Sequence, residues 1–496
     1  MDDRGKSDGP VVPEKPSNNA PGGVAEMVEE RGPAKGNTAG ETRPGHSAGL
    51  SVSSELDRVR QAAQKDRDVR FTALLHHVTV DRLRAAYRAI SPKAAPGVDG
   101  VRWADYGQDL ESNLEDLHRR LHRGAYRARP SRRVFIPKAD GRLRALGVAS
   151  LEDKILQRAL VEVLNAVYEA DFLGFSYGFR PGRGPHDALD ALAVGIERGR
   201  VSWVLDADFR EFFTGLDHQW LERFIGHRIA DRRVLRLIQK WLKAGVIEKG
   251  SQAEFDEGVP QGASVSPLLA NVYLYYVFDL WAHQWRARHA HGGMIIVRFA
   301  DDFVVGFEHK GDAERFWGDL RARLAEFSLE LNAEKTRLIE FGRFAAERRQ
   351  KRGLGKPETF SFLGFTHICA RDRNGRFKLR RITDSKRVRA KLSEVKTELK
   401  RRRHTPIPEQ GRWLSSVLRG HCNYYAVPDN NEALHAFRHQ IVRHWHKALR
   451  RRSQRSRMTW ERMSRLQTRW LPTIRVLHPW PDTRFDAKTQ GRSPVR

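Results

Sequence analysis

Apolar residues recur at helical spacing over residues 55–89, at Leu56, Val59, Phe71, Leu74, Leu75, Val78 and Leu83. The run breaks at Pro92 and at Ala95-Pro96-Gly97-Val98-Asp99-Gly100, which predicts a helical lead-in closed by a turn. Over residues 132–147 the pattern turns extended. Arg133-Val134-Phe135-Ile136-Pro137-Lys138, then Asp140-Gly141, then Arg142-Leu143-Arg144-Ala145-Leu146-Gly147 predict a basic β-hairpin. Helical periodicity resumes over residues 151–168. Trp203-Val204-Leu205-Asp206-Ala207-Asp208 and Met294-Ile295-Ile296-Val297-Arg298-Phe299 predict short buried strands that end at acids.

Two stretches escape this patterning. Residues 1–50 hold nine Gly, six Pro and no aromatic, too little apolar surface to offset the entropy of ordering, so a disordered arm is expected through residue 54. A disordered tail is expected at 483–496. After Phe360 the composition shifts: residues 371–470 carry 28 Lys or Arg against eight Asp or Glu. Apolar residues still recur there at helical spacing, at Trp413, Leu414, Val417 and Leu418 and at Phe437, Ile441, Val442 and Trp445, which predicts a basic helical domain.

Length and charge narrow the class. At 496 residues two to four domains of about 150 residues are expected. The net charge of +28 points to a polyanionic partner, nucleic acid first. No window approaches the run of about 20 apolar residues a membrane helix needs. Two cysteines, Cys369 and Cys422, exclude a disulfide framework and a CxxC zinc site, and the start lacks a secretory pattern, so a reducing, cytoplasmic setting is expected.

Candidate chemistry centres on Phe299-Ala300-Asp301-Asp302, placed between the apolar runs Ile295-Ile296-Val297 and Phe303-Val304-Val305. Adjacent acids in a hairpin turn repel one another unless a cation offsets them. A third acid, Asp208, ends the other strand, with Asp206 on the same face. Metal-assisted nucleotidyl transfer uses clustered carboxylates to hold two ions about 3.5–4 Å apart. Oxygen donors without clustered His or Cys favour Mg²⁺ over zinc.

These residues sit among several ordered motifs. GVPQGASVSPLLANVYL (258–274) precedes FADD, with IPKADGRLRALGV (136–148), SYGFRPGRGPHDAL (176–189), LELNAEKTRLIEFG (329–342) and FSFLGF (360–365) around them. Downstream lie LRGHCNYYAVPDN (418–430), RRSQRSRMTW (451–460) and RWLPTIRVLHPWP (469–481). Together they resemble the group II intron reverse transcriptase/maturase family over roughly residues 73–482. The resemblance implies an α+β right-hand polymerase of fingers, palm with an antiparallel sheet, and helical thumb, followed by a helical basic maturase region. Fingers and palm would occupy 55–365, and thumb and maturase region 366–482.

Carried over residue by residue, Asp208, Asp301 and Asp302 would be catalytic and would bind two Mg²⁺ ions. Lys138 and Arg144 would meet the triphosphate, Gln261 would line the nascent pair, and Lys335 would approach the leaving pyrophosphate. Phe213 would pack beneath the sugar and leave no room for a ribose 2′-OH. Arg401, Arg402, Arg403, Arg419, Tyr424, Arg451 and Arg452 would bind RNA. Phe299 stands where the family usually has Tyr, and Thr214 where it usually has Asp. The expected partners are the host group II intron RNA, an RNA template/DNA primer duplex, target DNA and dNTPs; a homodimer is left open. Without Cys or His after Asp482, no endonuclease module is expected. A splicing factor with a decayed polymerase site and a reverse transcriptase domesticated for host defence are the alternatives.

Overall fold

The computed structural model describes residues 47–137, 143–248, 251–253, 258, 262–453 and 458–489. The chain opens on helices α1 (Ser47–Lys65), α2 (Val80–Ala89), α3 (Trp103–Tyr106) and α4 (Leu110–His122), then the hairpin β1 (Ser131–Pro137) and β2 (Leu143–Val148). The long helix α5 (Leu151–Tyr168), α6 (Pro185–Arg198), β3 (Trp203–Asp208), α7 (His218–Arg228), α8 (Arg232–Lys243), β4 (Val246–Glu248) and β5 (Ser251–Ala253) follow. Helix α9 (Ser266–Leu274) runs through a π turn at Tyr275–Asp279 into α10 (Leu280–His289). Next come β6 (Met294–Phe299), β7 (Asp302–Phe307), α11 (Lys310–Glu326), β8 (Arg337–Glu340), α12 (Ala345–Lys351), β9 (Phe360–Phe362), β10 (Phe365–Arg371) and β11 (Phe377–Thr383). Helices α13 (Ser385–Arg401), α14 (Ile407–Tyr425), α15 (Asn431–Arg450), α16 (Trp460–Trp470) and α17 (Pro481–Thr489) complete it.

The central sheet has the order β6-β7-β3-β8, antiparallel throughout. Both of its faces are covered, which is why its strands read as unbroken apolar runs. Val204, Ile295, Val297 and Val304 pack with Leu189, Leu192 and Ile196 of α6 and with Phe360, Phe362 and Phe365. The alternate residues Leu205, Ala207, Ile296, Phe303 and Val305 join the main core with Phe316, Leu320 and Leu324 of α11. A second sheet, β2-β1-β4-β5, carries the basic hairpin, with Arg132 opposite Val148 and Pro137 opposite Leu143. Helix α5, capped by Ser150 accepting from the Asp153 amide, is buried along most of its length and links that sheet to the core. No described helix is long and apolar enough to cross a membrane.

The C-terminal helices enclose their own core of Leu414, Leu418, Phe437, Ile441, Trp445, Leu449 and Met463. Trp445 Nε1 donates to Gln410 Oε1 at 2.9 Å, and Gln410 Nε2 donates to the Arg402 and Thr405 carbonyls. The buried amide thus ties α14 to the end of α13.

Three expected boundaries shift. Helix α1 begins at Ser47, inside the stretch assigned to the disordered arm through residue 54. The border at 365/366 falls within a three-stranded sheet, β11-β10-β9, so the basic region opens on strands before it becomes helical. The tail expected to be disordered from 483 instead forms most of α17, which docks on α6: Phe485 is 4% exposed, Arg198 pairs with Asp486, and Lys488 pairs with Asp187.

Candidate active site

The register of the central sheet brings three acids to one end. Asp208 of β3 faces Asp302 of β7, and Phe299 also faces Asp302, so the hairpin turn is Ala300-Asp301. The first acid of the pair lies in the turn and the second opens the strand. Cross-strand partners share a face, so Asp208, Asp302 and, two residues back, Asp206 lie on one side of the sheet. Asp208 and Asp301 are 8% and 4% exposed.

Crowded carboxylates leave a charge problem. Withdrawal from water, and next the neighbouring Asp208, push the Asp302 carboxyl up to about 7. Burial likewise pushes Asp206 up to about 6, against the opposing pull of Arg337 at 3.5 Å. Lys335 offsets part of the charge, its Nζ donating to Asp208 Oδ2 at 2.6 Å. The loop that carries it is clipped to β3, because the Asn332 amide donates to the Asp208 carbonyl at 2.7 Å. Among the described residues, no group of three or more His, Cys, Asp or Glu side chains is arranged as a metal site. The donor set still fits a hard divalent cation: all donors are oxygens, and their mutual repulsion is what added positive charge would relieve.

Phe213 lies in a single 3₁₀ turn, Phe212–Thr214, one residue after Glu211 in the left-handed region at φ 52°. Its ring meets Phe212 edge-on and keeps 8% exposure, whereas Phe212 keeps 1%. Both rings belong to the main core, Phe213 at its less buried edge. Gly258, at φ 93°, packs against this turn so closely that a Cβ would lie 3.0 Å from the Phe213 carbonyl oxygen; on Gly262, at φ 106°, it would lie 2.8 Å from that of Gly147, just before the end of β2. The two flanks of Gln261 thus touch the Phe213 turn and the basic hairpin. Lys138, Gln261 and the Asp140-Gly141 turn lie outside the described residues. Arg144 is held in β2 opposite Ile136, with its side chain also outside them.

The basic candidates divide. Arg419 and Arg451 are exposed. Arg401 and Arg402 share Glu398 at 2.6 and 2.5 Å, and Arg452 donates to the His404 and Thr405 carbonyls at 2.9 Å, so the ends of α13 and α15 present one basic corner. Tyr424 donates its hydroxyl to the Leu363 carbonyl at 2.8 Å, and its ring lies over Phe365. That is a structural contact, which leaves the hydroxyl engaged.

Residues that the sequence reading passed over surround the turn: Arg298, Asp279, Asn271 and Ser176 are all 0–1% exposed. For Arg298, Asn271 and Asp279 the signal was available as polar residues inside largely apolar runs, Met294–Phe299 and the 266–279 stretch, where a polar group is costly unless partnered.

Comparison with known proteins agrees with this geometry. The family described as Reverse transcriptase (RNA-dependent DNA polymerase) matches residues 136–367, a span that contains β2 to β9 and all four acids. Protein YkfC of Escherichia coli is 32% identical over 366 residues, which cover 66% of this chain and 91% of that protein. Group II intron-encoded protein LtrA of Lactococcus lactis is 32% identical over 222 residues, 44% of this chain and 37% of its own. Nuclear intron maturase 3 of Arabidopsis thaliana is 31% identical over 164 residues, 32% of this chain and 21% of its own. The chain thus spans most of one relative and less than half of the intron-related ones. Reverse transcriptase domains generally use divalent metal ions, in keeping with the carboxylate end of the central sheet, and the chain belongs to the group II intron reverse transcriptase and maturase family.

Proposed function

We propose that the protein is an intron-encoded RNA-directed DNA polymerase that copies RNA from a DNA primer, binds its intron RNA and assists splicing and mobility. The observation that carries the polymerase reading is the pairing of Asp208 with Asp302 beside the Asp301 turn. The central sheet is the palm, the sheet with β1 and β2 the fingers, and α13 to α16 the thumb and maturase region. Asp208, Asp301 and Asp302 hold two Mg²⁺ ions, which would activate the primer 3′-OH and stabilise the charge of the transferring phosphoryl group. Lys138 and Arg144 engage the triphosphate and Gln261 the nascent pair. Lys335, already a carboxylate partner, is placed to neutralise the leaving pyrophosphate. RNA-templated primer extension by the purified chain tests the whole assignment; absence of dNTP incorporation with Mg²⁺ and a primed RNA would refute it.

Phe213 selects the sugar in this reading. Phe213→Val removes ring volume five residues after Asp208, so rNTP incorporation is expected to rise relative to dNTP by about tenfold or more, the scale of a pocket that gains room for one small group. Competition between dNTP and rNTP on one primed RNA measures it. An unchanged ratio in a folded variant would leave Phe213 with a packing role only.

The basic corner predicts a salt response. Each phosphate contact on a single strand contributes about −0.7 to the log–log slope of affinity against salt, so neutralising Arg401, Arg402 and Arg403 should reduce the slope by up to about 2. Glu398 already engages two of the three, which places the expected change nearer about 1. Filter binding of intron RNA across a salt series reads the slope. If it is untouched, the RNA surface lies elsewhere.

A further inference from the structure

We propose that Arg298 is a positioning residue for the carboxylates: its guanidinium holds the Ala300 carbonyl and so sets where Asp301 and Asp302 present their side chains. This rests on the reading of those acids as a metal-binding pair.

Arg298 sits in β6 with no exposure, and all five of its N–H donors are engaged. Nε donates to Asp279 Oδ1 at 2.7 Å and Nη2 to Asp279 Oδ2 at 2.5 Å. The second Nη2 hydrogen goes to Ser176 Oγ at 2.7 Å. Nη1 donates to Asn271 Oδ1 at 3.1 Å and to the Ala300 carbonyl at 2.8 Å. The ion pair alone would need only two of these bonds. The remainder connect three other segments of the chain to the turn.

The turn needs such a hold. Ala300 lies at φ 55°, in the left-handed region, which an L side chain adopts only when its surroundings impose it. Its carbonyl is gripped by Arg298. Its amide is backed by Gly178, where a Cβ would lie 2.3 Å from the Ala300 nitrogen, so only glycine permits the approach. Asn271 Nδ2 donates to the Gly178 carbonyl at 2.7 Å, so one asparagine touches both grips. Residues 175–177 run beside β6, Arg298 N donating to the Phe175 carbonyl and Tyr177 N to the Arg298 carbonyl, each at 2.9 Å. The SYG segment therefore serves as the bed of the turn.

The π turn completes the arrangement. Asn271 and Asp279 are eight residues apart, which on an uninterrupted α-helix would leave them about 80° apart around the axis. The extra residue absorbed by the π turn reduces that to about 20°, so both reach one guanidinium.

The test separates positioning from plain core packing. Replacing a buried ion pair by apolar residues of similar volume often leaves stability intact, so Arg298→Met combined with Asp279→Leu should fold while losing the hold on Ala300. Arg298→Lys keeps the charge against Asp279 but cannot supply five donors. Mn²⁺ alone, followed by electron paramagnetic resonance, reports the ligand geometry without turnover, and primer extension reports kcat and KM. For the double variant Mn²⁺ affinity should fall about tenfold and kcat about a hundredfold, the scale of a displacement near 1 Å, with KM for dNTP little changed. The Lys variant should move the same way by at least about tenfold in kcat. If either folded variant binds Mn²⁺ and turns over like the wild type, Arg298 is packing only. If the wild type shows no Mn²⁺ site that Asp301→Ala removes, the metal-binding reading itself fails and the positioning role falls with it.

Discussion

Replacing Asp301 and Asp302 together by Ala is expected to lower cDNA synthesis by about 10⁴-fold or more, since loss of one electrostatic partner of a transition state costs about 10²–10³ and two of the three acids go. The same variant should keep its affinity for intron RNA and its support of splicing. Splicing by the intron is RNA chemistry that needs the protein as a scaffold, and the basic surface at the ends of α13 and α15 is untouched. Removing two negative charges from a chain of net charge +28 cannot weaken attraction to phosphate. Both assays belong on one purified preparation, with circular dichroism to verify the fold.

A readout independent of turnover sharpens the prediction. A cation that binds only the native state raises its stability by mass action, so Mg²⁺ should raise the melting temperature of the wild type and leave the double variant unchanged. Without metal the variant should be no less stable, because the burial of a carboxylate and its repulsion by Asp208, which together push Asp302 up to about 7, are gone. Retained cDNA synthesis would overturn the assignment of the active site. Loss of RNA binding in a folded variant would overturn the separation of the two activities.

The strands of the candidate active site were legible because burial on both faces leaves an unbroken apolar run and the acids mark its end: Trp203–Asp208 and Met294–Phe299 appear at the bounds read from the chain. Helix α5 was equally plain, since Ser150 caps it and apolar residues recur to Tyr168. Where buried charge replaces apolar contact, the pattern misleads. In β11 the inward residues are Leu379, Arg381 and Thr383, so a strand of this sheet reads as part of a basic helical stretch. Helix α17 shows one buried apolar residue, Phe485, and is otherwise held by ion pairs, so no apolar stripe announced it. Arg298 has the same origin: its partners are distant in sequence, and only the fold reveals that its charge is matched.

Those matched charges set the second large effect, in stability. Asp190 of α6 accepts from Arg381 Nη1 of β11 at 2.7 Å and from Arg484 Nε of α17 at 2.5 Å. Asp190 and Arg381 are 1% and 2% exposed. Asp190→Ala strands the Arg381 guanidinium in the core with its charge uncompensated, which typically costs about 3–5 kcal/mol. It also unfastens α17, so limited proteolysis should cut the C-terminal segment far faster than in the wild type. Asp486→Ala supplies the contrast, because its pair with Arg198 is roughly half exposed and solvent-screened pairs of this kind contribute little. Urea denaturation of the two variants, followed by far-UV circular dichroism, should show a large drop in midpoint for Asp190→Ala and almost none for Asp486→Ala. Combining Asp190→Leu with Arg381→Met should recover most of the loss, since a packed apolar pair removes the stranded charge along with its partner. Equal, small losses for the two single variants would mean that water reaches Arg381 and that Phe485 and the Lys488–Asp187 pair suffice to hold α17.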